Sequence, residues 1–159
     1  MGRLATMRFR VLIVVLLCGV AASAVFATDF AVIIHPDNPV RTLSLAEFGK
    51  ILKGKSASWP NGRAITIVLR DTDSPAMKFV IEKVMGVPAE EAKKILADPN
   101  RKGSSAVVFL PTDADVVKAV ATHPAAIGIV DVYNITSGVK VIKIDDKQPF
   151  DPGYALKAH

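Results

Sequence analysis

Cysteine is nearly missing from this chain of 159 residues, which has Cys18 and no other. Cys18 lies in a segment expected to be cleaved away, so no disulfide can brace what remains and the fold must rest on its core. Histidine is scarce as well. His35, His123 and His159 do not stand at i, i+4 spacing from another ligand type in a helix, so no metal centre and no cofactor are expected. The G-x-S-x-G elbow of a serine hydrolase is missing, as is the phosphate-cradling G-x-x-x-x-G-K loop. No catalytic residue is therefore assigned, and the chain is not read as an enzyme. Low-complexity tracts, internal repeats, linkers and a second membrane-spanning run are also lacking.

What is present begins with an export signal. Arg3, Arg8 and Arg10 precede the apolar run VLIVVLLCGVAASAVFA, which ends in small residues, the pattern of a secretory signal peptide. Small-x-small cleavage fits after Ala24 or Ala27, and Ala27 is preferred because Thr28-Asp29 then opens the mature chain. The protein is expected to be periplasmic or secreted, touching membrane only if the apolar run is retained as an anchor. Bulky Leu17 before Cys18 argues against lipidation. Removing residues 1–27 takes away three arginines and no acid, so the formal charge falls from +5 to +2. Net charge then gives no argument for nucleic acid. The remaining stretch of about 130 residues suffices for one domain with a sizeable core, expected over 28–146 with a C-terminal tail over 147–159; the stretch DDKQPFDPGYALKAH (145–159) has turn chemistry and is expected to be poorly ordered.

Along the mature chain, FAVII (30–34) reads as a buried strand. SLAEFGKILKG reads as a helix with a capping box at Ser44 and Glu47 and a stop at Gly54. Asn61-Gly62 marks a turn before the strand AITIVLR. SPAMKFVIEKVMG reads as a helix with Ser74 as N-cap, Pro75 at the first helical position and Gly86 as its end. A short helix follows Pro88, then strand AVVFL (106–110) and a helix capped by Thr112. Asp113 and Asp115 fall in its first turn as ordinary helix-dipole partners, and His123 suits its end. AAIGIV (125–130) and GVKVIKI (138–144) complete the strands. Trp59 lies in a turn, as either a surface aromatic or a lid over the core edge. The alternation argues an α/β domain with a largely parallel sheet.

RDTDSPAMKFV (70–80) carries the candidate chemistry. A helix start has unpaired amides and partial positive charge, which suit an anion. Ser74 can give its hydroxyl hydrogen to an oxyanion and Arg70 its charge. On the other reading, Ser74 or Asp73 merely caps the helix while Arg70 pairs with Asp71 or Asp73.

Three stretches together resemble the phosphate-binding members of the periplasmic substrate-binding proteins that serve ABC importers. FAVIIHPDNPVRTLSLAEFGKILKGKSASWPNG is similar to the family's hinge strand, short helix and tryptophan turn. RDTDSPAMKFV is similar to its phosphate segment, and HPAAIGIVDVYN to a strand near the end of that lobe; the match runs over roughly residues 30–144. The resemblance implies a three-layer αβα lobe of the type 2 periplasmic-binding-protein kind. It implies inorganic phosphate or a similar oxyanion as ligand, bound by Arg70, Ser74, the amides of Ala76 and Met77, and Asp73. An ABC transporter or another envelope protein is the implied partner. Where the family has glycine and threonine after the serine, this chain has Pro75 and Ala76, so two donors are gone. Asp73 and Ile129 also depart from the family pattern, and the length suits one lobe of a two-lobed protein. The alternative is a single-lobe protein-interaction module that has lost anion binding.

Overall fold

The computed structural model describes residues 28–101 and 105–158; the expected signal peptide with Cys18, its cleavage site and His159 lie outside them. No helix among the described residues is long and apolar enough to cross a membrane. The elements run in the order β1 (Thr28–Ile34), β2 (Thr42–Leu43), α1 (Leu45–Leu52), β3 (Thr66–Arg70), α2 (Pro75–Met85) and α3 (Ala89–Ala97). They continue with β4 (Ala106–Leu110), α4 (Asp113–Thr122), β5 (Ala126–Asp131), a 3-10 turn (Val132–Asn134), β6 (Lys140–Ile144) and β7 (Lys157–Ala158).

Local chemistry accounts for the helix ends. Ser44 and Glu47 satisfy each other's free amides in a complete capping box before α1. At α2, Ser74 caps, Pro75 takes the first position where a missing N–H costs nothing, and Gly86 ends the helix at φ 66°.

The strands form a seven-stranded sheet in the order β2-β6-β1-β5-β3-β4, with β7 also on β1. β1 is antiparallel to β5, β6 and β7, while the β2–β6, β5–β3 and β3–β4 pairs are parallel. All strands except β1 therefore run one way, as the expected largely parallel sheet requires.

Strand periodicity separates two cores. Phe30, Val32 and Ile34 of β1 join Ile67, Leu69, Ile127 and Ile129 beneath α1, α2 and α3. Ala31 and Ile33 face the other way with Val68 and Val130, against Val116, Val117 and Val120 of α4. The result is three layers. Gly128 of β5 lets α4 lie close, since a Cβ there would come within 2.8 Å of Val116 Cγ1.

Two expectations change. Trp59 is buried and its indole N–H donates to the Ala125 carbonyl at 2.9 Å, so it is a core residue anchoring the turn. Tail residues 154–158 pack onto the domain, contrary to expectation. Tyr154 and Leu156 enter the larger core, the Tyr154 hydroxyl donates to the Phe30 carbonyl at 2.8 Å, and β7 pairs with Thr28 and Asp29. Burial pushes the Tyr154 hydroxyl well above the ordinary tyrosine range, with the nearby Asp29 charge adding to the shift.

Candidate anion-binding site

β3, β4 and β5 are parallel neighbours, so their C-terminal ends share one edge of the sheet. Arg70 ends β3, opposite Leu110 at the end of β4, and Asp131 ends β5. α2 and α4 begin in the loops that follow β3 and β4. Helix starts and the arginine are thus brought to one edge by topology, the usual ligand end of such sheets.

At α2, Ser74 Oγ accepts the Met77 amide at 3.2 Å. That amide is spent on the cap, but the Ser74 hydroxyl keeps its own proton to donate. Pro75 has no N–H, and the Ala76 amide has no acceptor among the described residues. No acid lies in the first turn of α2.

Asp73 pairs with Lys93 of α3, and its amide donates to Asp71 Oδ1 at 3.0 Å. The hydrogen bond and charge of Lys93 hold the Asp73 carboxyl below the ordinary aspartate range. The negative charge beside the helix start therefore has its own counter-ion.

Arg70 pairs with neither Asp71 nor Asp73, contrary to the second reading of the sequence. Its Nη1 stands 3.4 Å from Oδ1 of Asp113, the first residue of α4. The Arg70 side chain keeps 34% of its surface exposed, while that of Asp113 keeps 5%. Asp113 Oδ2 accepts the Asp131 amide at 3.2 Å and the Asn134 side-chain amide at 2.8 Å. Asp115 stands in the first turn of α4 as the sequence suggested and also exchanges hydrogen bonds with the Thr112 cap. Asp113 is the residue that sequence reasoning missed. Its first-turn position signals a dipole partner; nothing local signals the burial or the distant partners.

A groove of about 570 Å³ between β4 and α3 is lined by Asp71, Asp73, Lys93, Phe109 and Pro111 among others, but not by Arg70 or Ser74. The expected donors thus lie outside it. No cluster of metal-binding side chains occurs among the described residues. His123, as the sequence suggests, serves the end of α4: its Nδ1 lies 2.9 Å from the Ala119 carbonyl.

Solved structures share this fold. The chain superposes on an ABC-type phosphate transport receptor from Vibrio cholerae with a TM-score of 0.62 and 19% identity, over 82% of this chain and 54% of the receptor. PstS from Borrelia burgdorferi gives a TM-score of 0.62 and 16% identity, over 82% of this chain and 55% of that one. The chain therefore spans little more than half the length of either. Among curated proteins, no sequence match was found. A family model described as the PBP superfamily domain matches residues 18–153. With that match over most of its length, and the three-layer lobe found in solved phosphate receptors, the chain belongs to the PBP superfamily.

Proposed function

We propose that this chain is an exported, non-enzymatic solute-binding lobe that takes inorganic phosphate or a similar oxyanion at the start of α2. The observation that carries the reading is the Arg70 side chain at the strand end, about a third exposed, beside a helix start with no acid in its first turn. Arg70 supplies charge-assisted donors, and the Ser74 hydroxyl and Ala76 amide complete the set. Met77 supports the set by fixing Ser74, and Asp73, neutralised by Lys93, borders it. The proposed partner is an ABC transporter, by likeness to the phosphate transport receptor from Vibrio cholerae.

The test is calorimetric titration of the protein with phosphate and with sulfate, at low and moderate salt. The expected result is saturable heat with phosphate that weakens with salt, because the site is open to water. Arg70→Ala should lose the heat, and it should also melt lower because the buried Asp113 carboxylate loses its cation, so a wild-type circular-dichroism spectrum at the titration temperature is the check that it is folded. No heat at millimolar phosphate would overturn the reading, and an unaffected Arg70→Ala variant would move the site elsewhere.

A further inference from the structure

We propose, resting on the phosphate reading, that Asp113 is a positioning residue: it aims the Arg70 guanidinium at the anion without touching the ligand. The case begins with donors. Arg70 Nη1, the Asp131 amide and the Asn134 side-chain amide all converge on one buried carboxylate. Only an acceptor-only group satisfies all three, and an ionised aspartate is one. An asparagine there would have to turn its own NH2 against a donor.

Burial and bonding fix this carboxylate as few surface acids are fixed. Its place in the first turn of α4 sets its backbone, and its Oδ2 is tied to the end of β5 and to the turn that follows. Oδ1 is left facing Arg70. The arginine is a long, rotamer-rich chain whose ordering costs affinity whenever a ligand must supply it. An ion pair at one nitrogen confines where the guanidinium sits and leaves its hydrogen-bond donors free for an anion. Arg70 has no other acceptor among the described residues.

Asp113 also carries a negative charge, which repels an anion. Two features favour positioning over competition. The carboxylate is nearly buried while the Arg70 side chain is about a third exposed, so solvent reaches the arginine and hardly reaches the carboxylate. Its charge is also partly spent on two further donors. At 3.4 Å the ion pair is loose enough to leave the arginine attractive to a second anion.

The test is a double-mutant cycle read by phosphate titration and thermal melting on the wild type, Asp113→Asn, Arg70→Lys and the pair. Lysine keeps the charge but has no planar fork to aim. Asp113→Asn should weaken phosphate binding by up to about tenfold in the wild-type background, the scale of ordering one rotamer-rich side chain, and not weaken it further beside Lys at 70. It should lower the melting temperature in both backgrounds, because its NH2 faces a donor whichever way the amide is turned. Unchanged or tighter binding by Asp113→Asn would overturn the proposal, and so would equal weakening in both backgrounds. A wild type that takes up no phosphate would overturn the function and this inference together. Should Asp113→Asn not fold, Asn134→Ala removes one support of the carboxylate from an exposed position. It should then weaken phosphate by a smaller factor, and unchanged affinity would count against the proposal.

Discussion

Two helices, α2 and α4, begin at the same end of the sheet, each behind a hydroxyl cap, and they treat the resulting positive pole in opposite ways. α4 carries its anions in its own sequence: Asp113 turns inward to three donors and Asp115 closes the cap at Thr112. α2 has no acid in its first turn, begins with a proline that has no amide, and leaves the Ala76 amide without an acceptor among the described residues. A macrodipole at an exposed helix start is worth up to about 1 kcal/mol to an anion placed there. The protein collects that stabilisation at α4 from a side chain and leaves it uncollected at α2. Unsatisfied positive potential beside a partly exposed arginine is what a binding lobe needs; satisfied potential is what a structural joint needs. Arg70 connects the two, because its partner is the aspartate of the other helix.

Removing the joint should have the largest effect. Asp113→Ala strips the acceptor from Arg70, the Asp131 amide and Asn134 at once. Breaking a buried ion pair costs about 3–5 kcal/mol, and the partial exposure of Arg70 places the expected loss near the lower figure. Urea denaturation would read this as a lower midpoint with little change in slope. A loss below about 1 kcal/mol would show that water replaces the carboxylate easily and that the joint is not structural.

Making α2 resemble α4 should have a smaller effect on stability but a clear one on function. Ala76→Asp puts an acid into the first turn of α2, where the dipole favours it by about 0.5 kcal/mol. The melting temperature should change little, because Ala76 is partly packed against the larger core and this offsets the dipole gain, while phosphate heat disappears as the new carboxylate takes the place and the charge of the ligand. A variant that still binds phosphate with wild-type affinity would show that the start of α2 is not the anion site.

Most of this contrast can be traced in the sequence, and the part that cannot has a physical reason. Ser44 with Glu47, Ser74 with Pro75, and Thr112 are local signals, and each helix begins behind its capping residue. AVVFL is a strand over the residues named, because β-branched and apolar side chains bounded by turn residues leave little choice. The tail was misjudged: DDKQPFDPGYALKAH has turn chemistry, yet Tyr154 and Leu156 find a gap in the core that only the folded sheet defines. Arg70's partner is hidden from the sequence for the same reason. Asp71 and Asp73 are near in sequence, but the strand-loop-helix path aims the arginine toward the end of β4, where Asp113 arrives from another element. Local spacing encodes caps and periods; it does not encode which loops a parallel sheet gathers at one edge.

The smallest expected effect concerns Asp73, the one acid that stands next to the start of α2. Lys93 neutralises it, and the resulting depressed pKa has a definite sign. A carboxylate more acidic in the folded state than in the unfolded chain adds stability above the unfolded value of about 3.9. That contribution is lost as pH falls through the lower folded value. Lys93→Ala should return the Asp73 titration, followed by carboxyl NMR, to the ordinary range. The group is fully exposed, so the change in stability should be slight and vanish with salt. Binding is the more sensitive readout. With Lys93 gone, an uncompensated carboxylate lies beside the Ser74 cap, and phosphate affinity should fall a few-fold at low salt and recover as ionic strength rises. An affinity insensitive to Lys93 at every salt concentration would mean that the anion lies beyond the reach of Asp73, on the Arg70 side of the loop.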